Sequence, residues 1–436
     1  MKRNAIQKLI TWKQNSDTRP VLLTGVKGVG KTYLALEFAK AFYEGHLYIN
    51  FENNATIRNF LIQKSIKNEQ DYDFVELLAQ FYQIPDELIG NLLIILDEIY
   101  VSSELTHLLN EYLKRDVTVP FVIISSTTNF NEVKDGSYYH VPLYPMAFDE
   151  FLVALGHEWY ADVIKGHYQT NRAIPQIVHK ELLTLFEEYL VVGGMPAAVN
   201  EYIATDESYN VSEIHKTIFQ NIKNIYEEDV SESDSFKMKQ VLDVLVDQLC
   251  KENKKFQYRL IRKGATYSMY KDAIEKLSGR RYVLKCNKSS FISPSDASES
   301  ERSLNETAED ATQFKLYVND VGILNTYIDK QVVKTKKNEE FLRKTLIENY
   351  IIQALTANGH APSFWESGSQ AKVDFILKTC EGLIPLEIKI NDNSRAKSVS
   401  VFKTFFETPY TIRISSKNYE FSNGIKNIPY YAIFCL

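Results

Sequence analysis

The feature that most constrains this chain is the octet at 25–32, Gly-Val-Lys-Gly-Val-Gly-Lys-Thr. It lies between an apolar, β-prone run at 21–24 and a stretch at 33–42 whose apolar residues Leu34, Leu36, Phe38, Ala39 and Phe42 recur at helical spacing. Strand, glycine-rich turn and helix in that order make a cradle for phosphate, because glycines let consecutive backbone N–H groups converge on an anion at a helix N-terminus. Gly25, Val26, Lys27, Gly28, Val29, Gly30, Lys31, Thr32 and Tyr33 are therefore expected to bind the phosphates of ATP or ADP. In this pattern Lys31 reaches the β- and γ-phosphates, and the Thr32 hydroxyl ligates Mg²⁺.

A second signal supplies the other half of such a site. Residues 91–98, Asn-Leu-Leu-Ile-Ile-Leu-Asp-Glu, form a continuous apolar run ending in two acids, which reads as a strand buried on both faces with its carboxyl end at the ligand. Asp97 is then the Mg²⁺ partner, directly or through water, and Glu98 the group that polarises the attacking water. Runs at 47–51 and 121–125 extend the sheet, and 140–143 adds a fifth strand. The polar end Ser125-Ser126-Thr127-Thr128 either senses the γ-phosphate through Ser125 or Thr127, or is a simple turn.

A chain of 436 residues exceeds one ordinary core and calls for roughly three units. No apolar run approaches the ~20 residues of a membrane helix, and the basic start Met1-Lys2-Arg3 is followed by no secretory core, so a cytoplasmic protein without a membrane partner is expected. The four cysteines show no metal or disulfide spacing. A formal charge of −6 argues against a nucleic-acid-coated protein, yet 237–288 is locally basic through Lys251, Lys254, Lys255, Arg259, Arg262, Lys263, Lys271, Lys276, Arg280, Arg281 and Lys285. That stretch is either a phosphate-attracting surface or a solvated helix face. The acidic, Ser-rich segment 293–310 lacks apolar anchors and reads as a mobile loop.

Helical spacing at 236–249 and 270–277, followed by strands at 281–286 and 314–318, suggests a winged helix with the acidic loop at the wing tip. Thr266 or Ser268 would cap its second helix, which either enters a DNA groove or serves as a lid or protein contact. Further on, a helix at 342–355 carries Glu348, a strand at 373–377 carries Asp374, and the next at 384–390 carries Glu387 and Lys389. Period-two alternation puts Glu387 and Lys389 on one face. Together these residues match a nuclease arrangement in which carboxylates hold Mg²⁺ and a lysine orients water; as an alternative, they are the surface charges of an inert scaffold.

The segments 21–52, 91–98, 141–151 (Val-Pro-Leu-Tyr-Pro-Met-Ala-Phe-Asp-Glu-Phe) and 189–196 (Tyr-Leu-Val-Val-Gly-Gly-Met-Pro) resemble a large prokaryotic ATPase family. Its members join an AAA-type P-loop domain to a C-terminal domain of unknown function 4143 with winged-helix and restriction-endonuclease-like parts. The resemblance implies an α/β fold: an AAA-type core with a mostly parallel sheet at 1–150, a helical lid at 151–205, a winged-helix-like unit at 206–335 and a restriction-endonuclease-like α/β lobe at 336–436. It implies an extra strand between the phosphate-loop strand and the Asp97-Glu98 strand. It also places Gly193, Gly194 and Pro196 in a turn near the nucleotide base, although a Gly pair before Pro equally stops a helix.

Where relatives carry Gly-Arg ahead of the Pro-Leu-Tyr-Pro segment, this chain has Gly136-Ser137. Slow turnover, or a substitute such as Arg172, is therefore expected. The function so implied is an ATPase acting through its C-terminal modules on double-stranded DNA, with a homo-oligomer left open. The alternatives are an ATP-gated, Mg²⁺-dependent DNA nuclease and a nucleotide-controlled switch that binds proteins.

Overall fold

The computed structural model describes residues 1–66, 73–114, 119–126, 136–205, 208–224, 230–290, 308–328, 336–367, 371–390 and 397–436. Helix α1 (Ile6–Gln14) leads into strand β1 (Val21–Thr24), helix α2 (Lys31–Phe42) and strand β2 (His46–Asn50). Three helices follow, α3 (Ala55–Ile66), α4 (Phe74–Tyr82) and α5 (Asp86–Ile89), then β3 (Leu93–Asp97), α6 (Ser103–Leu113), β4 (Phe121–Ser125) and β5 (Tyr139–Pro142). Polar caps fix two of these starts: Asp73 accepts from the backbone of Val75 and Glu76, and Ser102 from that of Leu105.

The five strands form one sheet in the order β2-β3-β4-β1-β5, every pair parallel. Strand β4 thus separates the phosphate-loop strand from the Asp97 strand, as the family resemblance implied. Strands β1, β3 and β4 are buried at every position, which is why their sequences are continuous apolar runs. Alternate residues face two different cores: Val21, Leu23, Ile95 and Val122 join one, Leu22, Ile94, Leu96 and Ile123 the other.

Helices α7 (Phe148–Ala154), α8 (Glu158–Thr170), α9 (Gln176–Val192), α10 (Pro196–Thr205), α11 (Ser208–Lys223), α12 (Glu232–Leu249) and α13 (Tyr267–Gly279) make the helical middle. Thr266 stands at the N-cap of α13, but its hydroxyl meets that of Ser268 at 3.1 Å and makes no bond to the helix backbone. The chain continues as β6 (Val283–Ser290), β7 (Ala308–Val318), α14 (Val321–Tyr327), α15 (Lys336–Ala357), β8 (Ser363–Ser367), β9 (Ala371–Thr379), β10 (Gly382–Ile388), α16 (Lys397–Phe405), β11 (Thr411–Ser415), β12 (Glu420–Ser422) and β13 (Ile425–Pro429).

The expected hairpin exists, with β6 antiparallel to β7. It does not stand apart, however: β6 also pairs parallel to β8, so the hairpin closes one edge of an eight-stranded mixed sheet, β12-β13-β11-β10-β9-β8-β6-β7. Hydrogen bonding therefore runs across the 335/336 division. Of the expected 293–310 loop, residues 308–310 belong instead to β7, where Asp310 pairs with Lys288 and Glu309 with Ser289. The rest of that segment lies outside the described residues. Among the described residues, no single helix is long and apolar enough to cross a membrane.

Candidate nucleotide site

The loop between β1 and α2 is shaped by its glycines. Gly28 and Gly30 sit at φ of 85° and 97°, in the left-handed region closed to most side chains. A Cβ at Gly25 would lie 2.3 Å from the Leu143 carbonyl oxygen, so the loop runs against that backbone only because no side chain is there. The same absence leaves the backbone open to a phosphate.

Lys31 opens α2 and is buried. Its ammonium donates to the carbonyls of Gly25 at 2.7 Å and Val26 at 3.3 Å. Burial pushes its pKa down, and the carboxylates of Glu98 and Asp97 pull it back up. The Thr32 hydroxyl donates to Asp97 Oδ2 at 2.7 Å, and the Tyr48 hydroxyl donates to the same oxygen at 2.9 Å. Thr32 and Asp97, far apart in sequence, thus meet where a hydroxyl and a carboxylate would hold a hard cation. The glycine cradle, buried ammonium and oxygen pair fit a nucleotide triphosphate with Mg²⁺.

Glu98, just past the end of β3, adopts a left-handed backbone with φ of 55°. Its carboxylate accepts from the Ser126 backbone N–H at 2.9 and 3.1 Å and from the Ser126 hydroxyl at 2.6 Å. Burial pushes its pKa up, opposed first by the Lys31 ammonium and then by the Ser126 donors. Ser126, between the expected Ser125 and Thr127, thus holds Glu98. Ser125 is fully buried at the end of β4, and Thr127 lies outside the described residues.

The Lys27 side chain turns outward to Glu52 at 2.7 Å. The hydroxyl of Tyr33, a residue 48% exposed, accepts from the Met1 amino group at 3.1 Å. Val26 and Val29 are buried. The turn 193–196 does reach the phosphate loop: Met195 Cε would stand 3.7 Å from a Cβ on Gly28, and Pro196 Cγ 3.6 Å from one on Gly30. Arg172 is exposed in the turn between α8 and α9, where its carbonyl meets His167 Nδ1 at 2.9 Å. That turn packs on Asn418 through Ile174.

Several residues at the site carry no sequence signal of their own. Arg3, buried near the N-terminus, donates to the carbonyls of Val29 at 2.8 Å and Tyr144 at 2.6 Å and to Glu150 at 3.1 Å. It therefore ties the phosphate loop to α7. The Tyr282 hydroxyl reaches in from the start of β6 and donates to the Ser126 carbonyl at 3.2 Å. Beside it Arg281, at φ of 62°, lies 5.6 Å from the centre of the Tyr144 ring. The best sequence cue for the pair was the run of charge at 280–281.

The residues of the nuclease-like constellation are engaged in ion pairs. The β9–β10 register runs through Leu386 opposite Phe375 and so toward Asp374 and Glu387, but their charges go to separate cations. Asp374 pairs with Lys344 at 3.2 Å, while Glu387 pairs with Lys389 at 2.8 Å and Arg413 at 3.1 Å. Glu348 is buried against Lys254 at 2.7 Å, with Lys344 at 3.6 Å. Against the upward push of burial, Lys254 and Lys344 hold the Glu348 carboxyl down to about 2. Among the described residues, no group of three or more His, Cys, Asp or Glu side chains could hold a metal ion. Each of the three carboxylates is thus paired with a cation.

Basic residues of 237–288 are spent in the same way. Lys254, Lys255, Lys276 and Lys285 pair with Glu348, Glu366, Asp234 and Glu275, and Arg280 is buried. Lys251, Arg259, Arg262, Lys263 and Lys271 remain exposed around the start of α13.

An all-parallel sheet ordered β2-β3-β4-β1-β5, with a phosphate loop after β1 and an acidic pair after β3, defines an AAA-type P-loop nucleotide-binding domain. Comparison agrees: residues 17–152 match the AAA domain family AAA_14. The chain thus joins an AAA-type P-loop ATPase domain to a C-terminal domain of unknown function, DUF4143, matched over 343–433. Between them, 183–340 matches a second domain of unknown function, DUF8612. No curated protein matches. Among solved structures, the chain is similar to the Walker-type ATPase of Pyrococcus abyssi, at 15% identity over 75% of this chain and 95% of that one, TM-score 0.43. It is also similar to the Aeropyrum pernix ORC1 protein in complex with DNA, at 13% identity over 74% and 90%, TM-score 0.30. A Thermotoga maritima RuvB variant matches at 14% identity over 64% and 86%, TM-score 0.23.

Proposed function

We propose that the chain hydrolyses ATP at this site and transmits the nucleotide state to a DNA-contacting surface at the start of α13. The observation that carries hydrolysis is the placement of Glu98, next to Asp97 and held by two donors of Ser126. A carboxylate with its pKa raised by burial is a better proton acceptor than a solvated one. In this reading Lys31 holds the phosphates, Thr32 and Asp97 hold Mg²⁺, Glu98 takes the proton from water and Ser126 orients Glu98. Mg²⁺, when bound, neutralises charge on the transferring phosphoryl group. Phosphate release by the purified chain with ATP and Mg²⁺ is the test; a rate no higher than that of Lys31→Ala would end the reading.

The DNA part rests on the exposed cluster Arg259, Arg262, Lys263 and Lys271, which makes no ion pair with an acid among the described residues. Four such charges supply a sequence-independent attraction for phosphate backbones. Duplex DNA is expected to bind with a log–log salt slope of about −0.9 per phosphate contacted. Reversing all four to Glu should remove that binding while ATP hydrolysis without DNA is retained. Fluorescence anisotropy across a salt series decides: affinity unchanged by the reversal excludes the surface. The same samples, incubated with Mg²⁺ and run on a gel, should show intact DNA, as the neutralised carboxylates of Glu348, Asp374 and Glu387 lead us to expect; cleavage lost in Asp374→Ala would restore the nuclease reading.

A further inference from the structure

We propose that Asp320, more than a hundred residues beyond the AAA domain, is a positioning residue of the nucleotide site: it clamps the 193–196 turn onto the phosphate loop. This rests on the ATP-binding reading above and extends it, since the N-terminal domain's affinity for nucleotide then depends on the segment downstream.

The turn is held from both sides. On one side Asp320, fully buried, accepts from the Gly194 backbone N–H at 2.7 Å through one oxygen and from Ile323 N–H at 3.1 Å through the other. The second bond caps α14 and so anchors the carboxylate to its own helix. Backbone meets backbone at the same place. A Cβ on Gly193 would lie 2.2 Å from Asp320 Oδ1 and 2.8 Å from the Gly322 nitrogen, and one on Gly322 would lie 2.7 Å from the Val192 carbonyl oxygen. On the other side the Gly194 carbonyl accepts from Met146 N–H at 2.7 Å, and a Cβ on Gly194 would lie 2.2 Å from the Met146 carbonyl oxygen. The turn therefore has little room to shift. What it presents to the phosphate loop is Met195 at Gly28 and Pro196 at Gly30, the two glycines whose backbone must stay in the left-handed region.

His215 secures the same joint. It bonds the Val192 carbonyl through Nε2 at 3.0 Å and Thr326 of α14 through Nδ1 at 2.8 Å. Burial pushes its pKa down, with the Asp320 carboxylate opposing that push. The turn thus sits between the phosphate loop and the N-terminus of α14, and Asp320 is the ionisable group that bonds its backbone.

The test is Asp320→Asn in the full chain, read by equilibrium titration with a fluorescent ADP analogue and by steady-state ATP hydrolysis. An amide keeps the shape but turns one acceptor into a donor facing a backbone N–H. The expected result is about tenfold weaker analogue binding, the scale of one charge-assisted hydrogen bond, with KM raised in step and kcat within about twofold. A folded Asp320→Asn chain with wild-type affinity overturns the proposal. Should that variant not fold, Met195→Ala releases the loop side of the turn and is expected to raise KM likewise; wild-type KM there also overturns it. A wild-type chain that binds no analogue would instead refute the ATP-binding reading, so the two failures are distinguishable.

Discussion

Lys31→Ala is expected to lose ATP binding by on the order of 100-fold or more while the chain keeps its fold, because charge-assisted bonds to phosphate oxygens disappear. The side chain is buried, and its pKa is depressed by that burial. For a base, a folded-state pKa below the unfolded value means that ionisation disfavours the folded chain at pH values below the unfolded pKa, so its removal relieves a cost at neutral pH. Against that relief, the carbonyls of Gly25 and Val26, both buried, lose a donor, at about 1–3 kcal/mol for each one left unsatisfied. The unliganded melting temperature should therefore stay within a few degrees, roughly the shift that ~1 kcal/mol produces. Calorimetric titration with ATP and Mg²⁺ beside a thermal melt checks both parts. Nucleotide affinity equal to wild type would remove the phosphate-loop assignment.

Glu98→Gln should produce the opposite split, with ATP bound as tightly as before and hydrolysis reduced by about 10²- to 10⁴-fold, the usual worth of a positioned general base. The amide oxygen can still accept from the Ser126 N–H and hydroxyl, so the left-handed turn after β3 should persist. What disappears is the proton acceptor. The loss also takes away the negative charge that raises the Lys31 pKa most and should lower the lysine pKa further. Single-turnover hydrolysis, compared with retention of labelled ATP on the protein, separates binding from chemistry. Wild-type turnover would mean that another group orients the water. Read together, the two variants distinguish a site that fails to hold nucleotide from one that holds it without reacting.

Much of the nucleotide site was legible because its information is local. The octet at 25–32 requires glycines where the loop must take a positive φ, and the apolar run ending in Asp97 and Glu98 requires burial on both faces. Such demands act on consecutive residues and leave a pattern in the sequence. The helices at 232–249 and 267–279 and two of the strands of the last hundred residues, β9 and β10, were likewise visible from residue pattern, with ends displaced by a few residues. Strand β4 was legible from its own apolar run, but its place between β1 and β3 came from the family resemblance, since the edges of a buried strand are hydrogen-bonding backbone and carry no residue-specific mark.

Tertiary structure alone decided which side chains meet. Ser126, one residue beyond the end of β4, is a residue that holds Glu98. Arg3, Tyr48, Tyr282 and Asp320 reach the site from separate parts of the chain, brought there by sheet order and helix packing. The basic stretch lost much of its apparent surface charge to acids up to a hundred residues away or more, Lys254 to Glu348 and Lys255 to Glu366. Asp374 and Glu387 were correctly placed on adjacent strands, yet Lys344 and Arg413 from other elements neutralise them. Sequence determined the backbone states and the phosphate cradle, because conformational preference and burial act residue by residue. Charge pairing and the joint between turn and loop were left to the fold, because Coulomb attraction and close packing depend on distances that chain separation does not set.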